Sequence, residues 1–149
     1  MSKIRITKEF RFEMAHALLG YDGMCSNIHG HSYQLSVTLI GVPSKNMADP
    51  KNGMVIDFGV LKDIVKSEVI DKFDHAMVLN EATPDKEKIT SLPLFERVIF
   101  LPYQPTCENM LPDFAERISK YLPTEIELHN MRLRETNNSY AEWFASDNN

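Results

Sequence analysis

Cysteine, long apolar runs and clustered positive charge are all scarce in this 149-residue sequence. The two cysteines, Cys25 and Cys107, are too few for a disulfide framework and are typical of a reducing compartment. No run approaches the roughly 18 apolar residues that a membrane-spanning helix needs. The first residues also lack the apolar core and cleavage site of a signal peptide. We therefore expect a cytoplasmic protein with no membrane partner.

The charge balance excludes a further class of partner. The formal net charge is −5 and no Lys/Arg cluster is present, which argues against nucleic acid as the main ligand. The hydrophobic fraction of 43% and the charged fraction of 25% are those of a soluble globular protein. The length suits one domain, which we expect to span residues 1–149.

Two long segments alternate polar and apolar side chains with the period of a β-strand. In residues 3–16 the apolar side chains hold even positions, and His16 shares their face. In residues 29–41 they hold odd positions, and His29 and His31 precede them in the same phase. In antiparallel neighbouring strands these ends meet, so three imidazoles gather at one rim of the core. Neutral imidazole is a ready zinc ligand, and the pattern therefore predicts a metal site rather than a chance His-x-His pair.

A thiol lies next to this predicted site. Cys25 stands four residues before His29. In an enzyme it would serve as a nucleophile or proton carrier, whereas in a structural zinc site it would be the fourth ligand. Cys107 is expected to be an inert, packed residue in the first turn of a helix.

Two helices and further strands complete the predicted order. A short strand at 54–56 precedes a helix that begins after Asp57 as N-cap, and a second helix begins after Thr106 as N-cap. A short strand is predicted at 97–101, after the polar connection, and a last strand at 125–136, after the second helix. A phase switch near His129 predicts a bulge in this last strand. The order ββααβ(β) indicates an α+β fold, with an antiparallel four-stranded sheet and two helices on one face.

Two acidic residues invite more than one interpretation. Asp74 and His75 follow the first helix, and the residues alone favour a solvated helix end over a general-base pair. Glu135 falls on the apolar face at the end of the last strand. Because burying an unpaired charge is costly, this carboxylate either binds a ligand's donors or pairs with an arginine such as Arg134 or Arg11.

Six motifs then occur together in order: Phe12-Glu13-Met14-Ala15-His16, Cys25-Ser26-Asn27-Ile28-His29-Gly30-His31, Met54-Val55-Ile56-Asp57-Phe58, Asp74-His75, Pro105-Thr106-Cys107-Glu108-Asn109 and Arg134-Glu135-Thr136. With them the sequence resembles the 6-pyruvoyl-tetrahydropterin synthase family, including its bacterial branch, 6-carboxy-5,6,7,8-tetrahydropterin synthase. The resemblance covers nearly the whole chain, and the CxxxHGH element with its upstream FxxxH is its most specific part.

The resemblance implies a role for each matching residue. It implies that His16, His29 and His31 bind Zn²⁺ and that Cys25 moves a proton. It also implies that Asp74-His75 is the partner pair of that thiol, in place of the helix-end interpretation. Glu135 matches the carboxylate that anchors the pterin and joins the relay, and the residues matched to the substrate side of the second helix are Thr106, Glu108 and Asn109.

The implied fold is the tunnelling fold, with subunits joined as a homo-hexamer, a dimer of trimers, and active sites at the interfaces. The implied activity is a zinc-dependent lyase that converts 7,8-dihydroneopterin triphosphate to 6-carboxy-5,6,7,8-tetrahydropterin, acetaldehyde and triphosphate on the route to queuosine. One alternative is the 6-pyruvoyl product of tetrahydrobiopterin synthesis, and another is a non-catalytic, zinc-stabilised pterin-binding module. The chain departs from the bacterial pattern in its long connection from Asn80 to Arg97 and in a cysteine-free end.

Overall fold

A single mixed sheet of six strands organises the computed structural model, which describes residues 1–149. The strands are β1 (Ile4–His16), β2 (His29–Gly41), β3 (Ala76–Asn80), β4 (Val98–Leu101), β5 (Glu127–Thr136) and β6 (Ser139–Phe144). Their spatial order is β4-β3-β1-β2-β5-β6. The pairs β1–β2, β2–β5 and β5–β6 are antiparallel, whereas β3 runs parallel to both β1 and β4.

Two long helical segments cover one face of this sheet. The helices are α1 (Phe58–Val65), α2 (Asp71–Phe73), α3 (Lys86–Thr90) and α4 (Cys107–Ser119), and a π-helical turn at Lys66–Ile70 joins α1 to α2. Short 3₁₀ turns lie at Met24–Ser26, Pro93–Phe95 and Ala145–Asp147. None of these helices combines the length and apolar character needed to cross a membrane.

The alternation of β1 and β2 determines how they pair. They are antiparallel along their whole length, from Ile4 opposite Gly41 to His16 opposite His29. Even positions of β1 and odd positions of β2 face the helices, as predicted, since a strand places alternate side chains on opposite faces. The strand ends that carry histidine therefore lie side by side.

The core forms between this sheet face and the long helical segments. Phe73 at the end of α2 and Phe114 in α4 contact each other edge to face, with ring centroids 5.0 Å apart. Phe114 also contacts Phe12 of β1, at 6.4 Å between centroids. The helical side chains buried here are Leu61, Val65, Val69, Phe73, Met110, Leu111, Phe114 and Ile118. This packing fixes where the helices begin and end relative to the histidine rim.

The predicted helix caps and bulge are confirmed. The side chain of Asp57 accepts from the backbone of Gly59, and that of Thr106 accepts from Asn109. The register between β2 and β5 shifts at Thr38, opposite the predicted phase switch. These features were predictable because each rests on residue type and local spacing.

The prediction of four antiparallel strands was wrong in count and direction, because two short strands carry no alternation. β3 is nearly continuously apolar and lies parallel to its neighbours, and β6 is an aromatic-rich edge strand. The strand predicted at 54–56 is also absent. That segment belongs to a turn, in which Met54 donates its N–H to Lys51 and accepts at its carbonyl from Ser44.

Candidate active site

Three imidazoles meet at the rim where β1 ends and β2 begins. One ring nitrogen from each of His16, His29 and His31 lies within 4.8 Å of the other two. His16 and His29 are direct cross-strand partners, and His31 lies opposite Met14. His16 is buried, whereas the other two are half-buried. The convergence that the strand phases predicted is therefore present.

The second ring nitrogens of two of these histidines determine the tautomer. Nδ1 of His16 is 2.7 Å from the carbonyl oxygen of Pro105, and Nδ1 of His29 is 2.7 Å from that of Asn27. A carbonyl oxygen only accepts, so each Nδ1 carries the proton. Nε2 is then unprotonated in the neutral rings, and the two Nε2 atoms face each other at 3.0 Å. Two facing lone pairs repel unless a cation lies beside them.

The separation itself suits a metal ion. Two ligands of one tetrahedral zinc ion, bound at about 2.0–2.1 Å, are about 3.3 Å apart. Nε2 of His31 is buried and has no hydrogen-bond partner. An orphaned buried nitrogen is costly unless it binds something else. The chain's own residues therefore fit a transition-metal ion that accepts imidazole nitrogen.

Glu135 adds a negative charge to the cluster, and this is where its buried carboxylate finds partners. Its Oε1 lies 3.0 Å from Nε2 of His31 and 3.3 Å from Nε2 of His16. Despite this close approach, Nε2 of His31 makes no hydrogen bond with the carboxylate. The predicted alternative of an arginine partner was wrong. A carboxylate oxygen thus lies within 3.3 Å of two of the three histidines.

The electrostatics agree with neutral rings beside a charged carboxylate. Burial lowers the pKa of His31, and the opposing effect of Glu135 is smaller. The close approach of His16 holds the pKa of Glu135 below its usual range, against the effect of burial. A neutral imidazole is the form that binds metal.

Tyr33 is a buried part of this site that the sequence analysis did not single out. Its side chain is 1% exposed, and its hydroxyl lies 3.5 Å from Nδ1 of His16. Burial, with a further contribution from Glu135, raises its pKa far above the ordinary tyrosine value. Its position in the same odd phase as His29 and His31 was the available signal.

Asp74 and His75 form a pair on the opposite side of β1. Oδ1 of Asp74 lies 3.0 Å from Nδ1 of His75, and it also accepts from the backbone N–H of Glu13 at 2.9 Å. Burial raises the pKa of Asp74, but the bonds from Glu13 and His75 outweigh it and hold that pKa low. The helix-end interpretation is correct for the backbone, and the side chains nevertheless form an acid–imidazole pair.

A cavity of about 470 Å³ lies beside this pair. His75 and His31 both line it, and Ala15 and Gly30 form part of its sheet wall. The imidazole of His75 is 72% exposed and therefore accessible from this cavity. Of the three clustered histidines only His31 lines this cavity, whose wall includes residues of the opposite sheet face.

Cys25 lies outside the nitrogen cluster. It is exposed, in the 3₁₀ turn at Met24–Ser26. Its Sγ is not among the atoms that group within 4.8 Å. Its loop is held to the α4 side by Gln104, whose side chain accepts from the N–H of Leu19 at 3.0 Å and donates to its carbonyl at 2.7 Å. Cys25 and Cys107 are both free thiols.

Comparison with known proteins identifies the family to which this arrangement belongs. The sequence profile of the family described as 6-pyruvoyl tetrahydropterin synthase matches residues 5–146. The chain belongs to this family. A Haemophilus influenzae protein named 6-carboxy-5,6,7,8-tetrahydropterin synthase is 36% identical over 141 residues, 93% of this chain and 97% of that protein. A Rickettsia bellii protein of the same name is 30% identical over 141 residues, 93% of this chain and 99% of that protein.

Solved structures share the fold. An uncharacterised protein of Wolinella succinogenes superposes with a TM-score of 0.81 at 18% identity, covering 97% of this chain and 99% of that one. The 6-pyruvoyl tetrahydropterin synthase of Caenorhabditis elegans gives a TM-score of 0.67 at 24% identity, with 97% of each chain covered. The predicted α+β tunnelling fold is therefore confirmed, with six strands rather than four.

In this member of the 6-pyruvoyl tetrahydropterin synthase family, side chains at the start of α4 make hydrogen bonds within the chain. Thr106 caps the helix, and the side chain of Asn109 donates to the carbonyl of Gln104 at 3.0 Å. Glu108 is exposed in the first turn. Cys107 is buried, and burial raises the pKa of its thiol to about 12. Substrate contacts by Thr106, Glu108 and Asn109 stay a prediction, whereas an inert Cys107 agrees with its burial.

Proposed function

We propose that this protein is a zinc-dependent lyase that converts 7,8-dihydroneopterin triphosphate to 6-carboxy-5,6,7,8-tetrahydropterin, acetaldehyde and triphosphate. The observation that carries the proposal is the trio of imidazole nitrogens at one point, two of them left unprotonated by their carbonyl contacts. The names of the Haemophilus and Rickettsia relatives support the choice of product. The product is a precursor on the 7-deazaguanine route to queuosine.

In this proposal His16, His29 and His31 hold Zn²⁺ and leave a ligand position for substrate. When bound, zinc polarises the oxygens of the substrate side chain and makes the neighbouring C–H bonds more acidic. The carbonyls of Pro105 and Asn27 keep two of the rings in the metal-binding tautomer.

The remaining proton chemistry belongs to the protein. Cys25 takes and returns a proton at the substrate side chain, and His75 exchanges a second proton with the substrate. Asp74 holds His75 through Nδ1, which leaves Nε2 to exchange the proton. Glu135 accepts from the N–H donors of the pterin ring and fixes that ring beside the histidines.

Product analysis tests this activity. Purified, zinc-loaded protein is incubated with 7,8-dihydroneopterin triphosphate, and acetaldehyde is trapped while the pterin is identified by mass spectrometry. We expect acetaldehyde and 6-carboxytetrahydropterin in equal amounts, and no turnover after chelation. Release of triphosphate without acetaldehyde would instead identify the 6-pyruvoyl product, which the name of the Caenorhabditis neighbour keeps as the second candidate.

Substitutions of the two cysteines distinguish an enzyme from a non-catalytic zinc module. Such a module needs a fourth protein ligand, and Cys25 is the predicted one. We expect Cys25→Ala to lose turnover while it keeps stoichiometric zinc. Cys107→Ala is the matched control, since Cys107 is buried away from solvent, and it should keep both zinc and turnover. Zinc loss in Cys25→Ala would favour the module.

We further propose that the functional unit is a homo-hexamer of single-domain chains, built as a dimer of trimers, with active sites at the subunit interfaces. Both edges of the sheet, β4 and β6, have unpaired backbone groups that a second subunit can meet. The pterin substrate is the only small-molecule partner in this proposal, and the scarcity of cysteine supports a cytoplasmic location.

A further inference from the structure

Arg97 is an arginine whose side chain binds only backbone carbonyls. It lies just before β4, 22 residues beyond His75 in the chain. Its Nη2 donates to the carbonyl of Asp71 at 2.9 Å and to that of Asp74 at 2.9 Å, and its Nε donates to the latter at 3.2 Å. The last carbonyls of a helix have no hydrogen-bond donor within the helix. Here the guanidinium of Arg97 is the donor for two of them.

The backbone that it holds is in an unfavourable conformation. His75 has φ +60°, in the left-handed region that costs a non-glycine residue about 1–2 kcal/mol. Such a residue keeps this conformation only when its surroundings impose it. The N–H of His75 donates to the carbonyl of Glu13 at 2.6 Å, and the N–H of Glu13 donates to the carboxylate of Asp74. β1 therefore holds one side of the turn.

Arg97 contacts the other side of the turn through two groups, its guanidinium and its backbone carbonyl. Its guanidinium binds the carbonyl of Asp74, and its own backbone carbonyl accepts from Met77 at 3.1 Å, two residues beyond His75. The turn is thus fixed before and after His75 by one residue. Its charge also favours the ionised carboxylate of Asp74. Arg97 and His75 line the same cavity as His31.

We infer that Arg97 is a positioning residue for the reaction, because its bridge from the helix end to β3 holds the left-handed turn that presents the Asp74–His75 pair to the cavity. Its guanidinium hydrogen-bonds neither the nitrogen cluster nor the carboxylate of Asp74. Its effect on turnover rests on the proposed function, whereas its effect on the conformation of His75 does not.

Kinetics of Arg97→Gln test the consequence for turnover. We expect kcat to fall about 10- to 100-fold, the loss typical of a misplaced catalytic group, with KM and zinc content unchanged. Arg97→Lys keeps the charge and a donor and should recover part of kcat. Arg5→Gln, an exposed arginine at the far end of β1, is the matched control and should behave as wild type. An unchanged kcat in Arg97→Gln would overturn the inference.

A double-mutant cycle shows whether Arg97 acts through His75. Since a positioning residue has no effect once its target is gone, Arg97→Gln should change the residual activity of His75→Asn by less than twofold. An equal loss in both backgrounds would assign Arg97 a general structural role and contradict the inference. Urea unfolding of each variant confirms that the folded fraction is the same.

Spectroscopy tests the conformation without any substrate. Histidine labelled with ¹³C at Cε1 gives five resonances, one for each histidine, and the His75→Asn spectrum identifies that of His75. We expect Arg97→Gln to move this resonance towards the free-histidine position and to leave those of His16, His29 and His31 in place. An unmoved His75 resonance would overturn the inference, even for a protein that fails to convert the pterin.

Discussion

At the residue scale, a hydrogen bond to the backbone orients each reactive side chain for its contact in the site. His16 and His29 present Nε2 to the cluster because their Nδ1 atoms donate to carbonyls of the loop before α4 and the loop before β2. Asp74 presents its carboxylate to His75 while the same oxygen is bound by the backbone of β1. The chemistry therefore depends on backbone groups, two of them distant in sequence, as much as on the reactive residues.

Metal binding is the first prediction at this scale. His31→Ala removes a ligand nitrogen that has no hydrogen-bond partner in the protein. We expect its zinc dissociation constant to rise by more than the roughly 10- to 100-fold that follows loss of a group bonded to a ligand. His129→Ala is the control, since that ring binds Asn130 on β5 outside the cluster. Competition with a chromogenic chelator measures the zinc affinity of both variants. An affinity of His31→Ala equal to that of His129→Ala would contradict the proposed ligand set.

Acid stability gives the second prediction. The pKa of Asp74 is lowered in the folded protein, so the folded state favours the carboxylate more than the unfolded chain does. Its contribution to stability is therefore complete above the unfolded pKa of about 3.9 and is lost as pH falls through the folded value. We expect Asp74→Asn to flatten the fall of the unfolding free energy below about pH 4. Urea titrations from pH 2.5 to 6 measure this.

The control for that experiment is Asp22→Asn, in the exposed loop after β1. It should leave the pH dependence of the unfolding free energy as in wild type. If the unfolding free energy of Asp74→Asn falls with pH as steeply as that of wild type, the contacts of Asp74 with Glu13 and His75 do not survive in solution.

At the scale of elements, the sequence predicted what is periodic or local and missed what is short or distant. The histidine trio was predictable because alternation reports which face a side chain takes, and the caps because they depend on one residue type. β3 and β6 were missed since a short apolar run and an aromatic tail have no distinctive period. Arg97 and Gln104 gave no signal, because polar side chains that bind distant carbonyls follow no pattern.

The N-terminus of α4 carries the prediction at this scale. Thr106 caps the helix, and the preceding carbonyl of Pro105 receives Nδ1 of His16. We expect Thr106→Ala to lower the unfolding free energy by about 1 kcal/mol, the usual effect of losing such a cap. Thr106→Ser keeps the hydroxyl and should lose less than half of that. Urea unfolding of the metal-free proteins measures the difference.

Kinetics of the same two variants then separate capping from substrate binding. If Thr106 only caps, KM for the pterin substrate stays at the wild-type value in Thr106→Ala once the protein is folded. A raised KM in Thr106→Ala that Thr106→Ser restores would support the substrate contact that the family resemblance implies.

At the scale of the whole molecule, the six-stranded sheet is open. β1 and β2 lie in its middle and are paired on both sides, whereas β4 and β6 each have one unpaired edge. Unpaired strand edges are templates for further pairing, and natural proteins cover them or charge them. β4 carries Val98, Ile99, Phe100 and Leu101, none of which is charged. A free β4 edge is therefore unsuited to a monomer.

Edge pairing between subunits makes a prediction about mass and hydrogen exchange. Six chains of 17.1 kDa give an assembly of about 103 kDa, which light scattering after gel filtration measures directly. In that assembly the outward amides of β4 and β6 are bonded to a neighbour, so they should exchange slowly at high protein concentration and faster on dilution. Amides of β1 and β2 are the internal control, since their partners lie within the chain and their exchange should not depend on concentration. A mass of one chain, or edge amides that exchange as rapidly as loop amides at every concentration, would contradict the hexamer and would leave β4 in need of another cover.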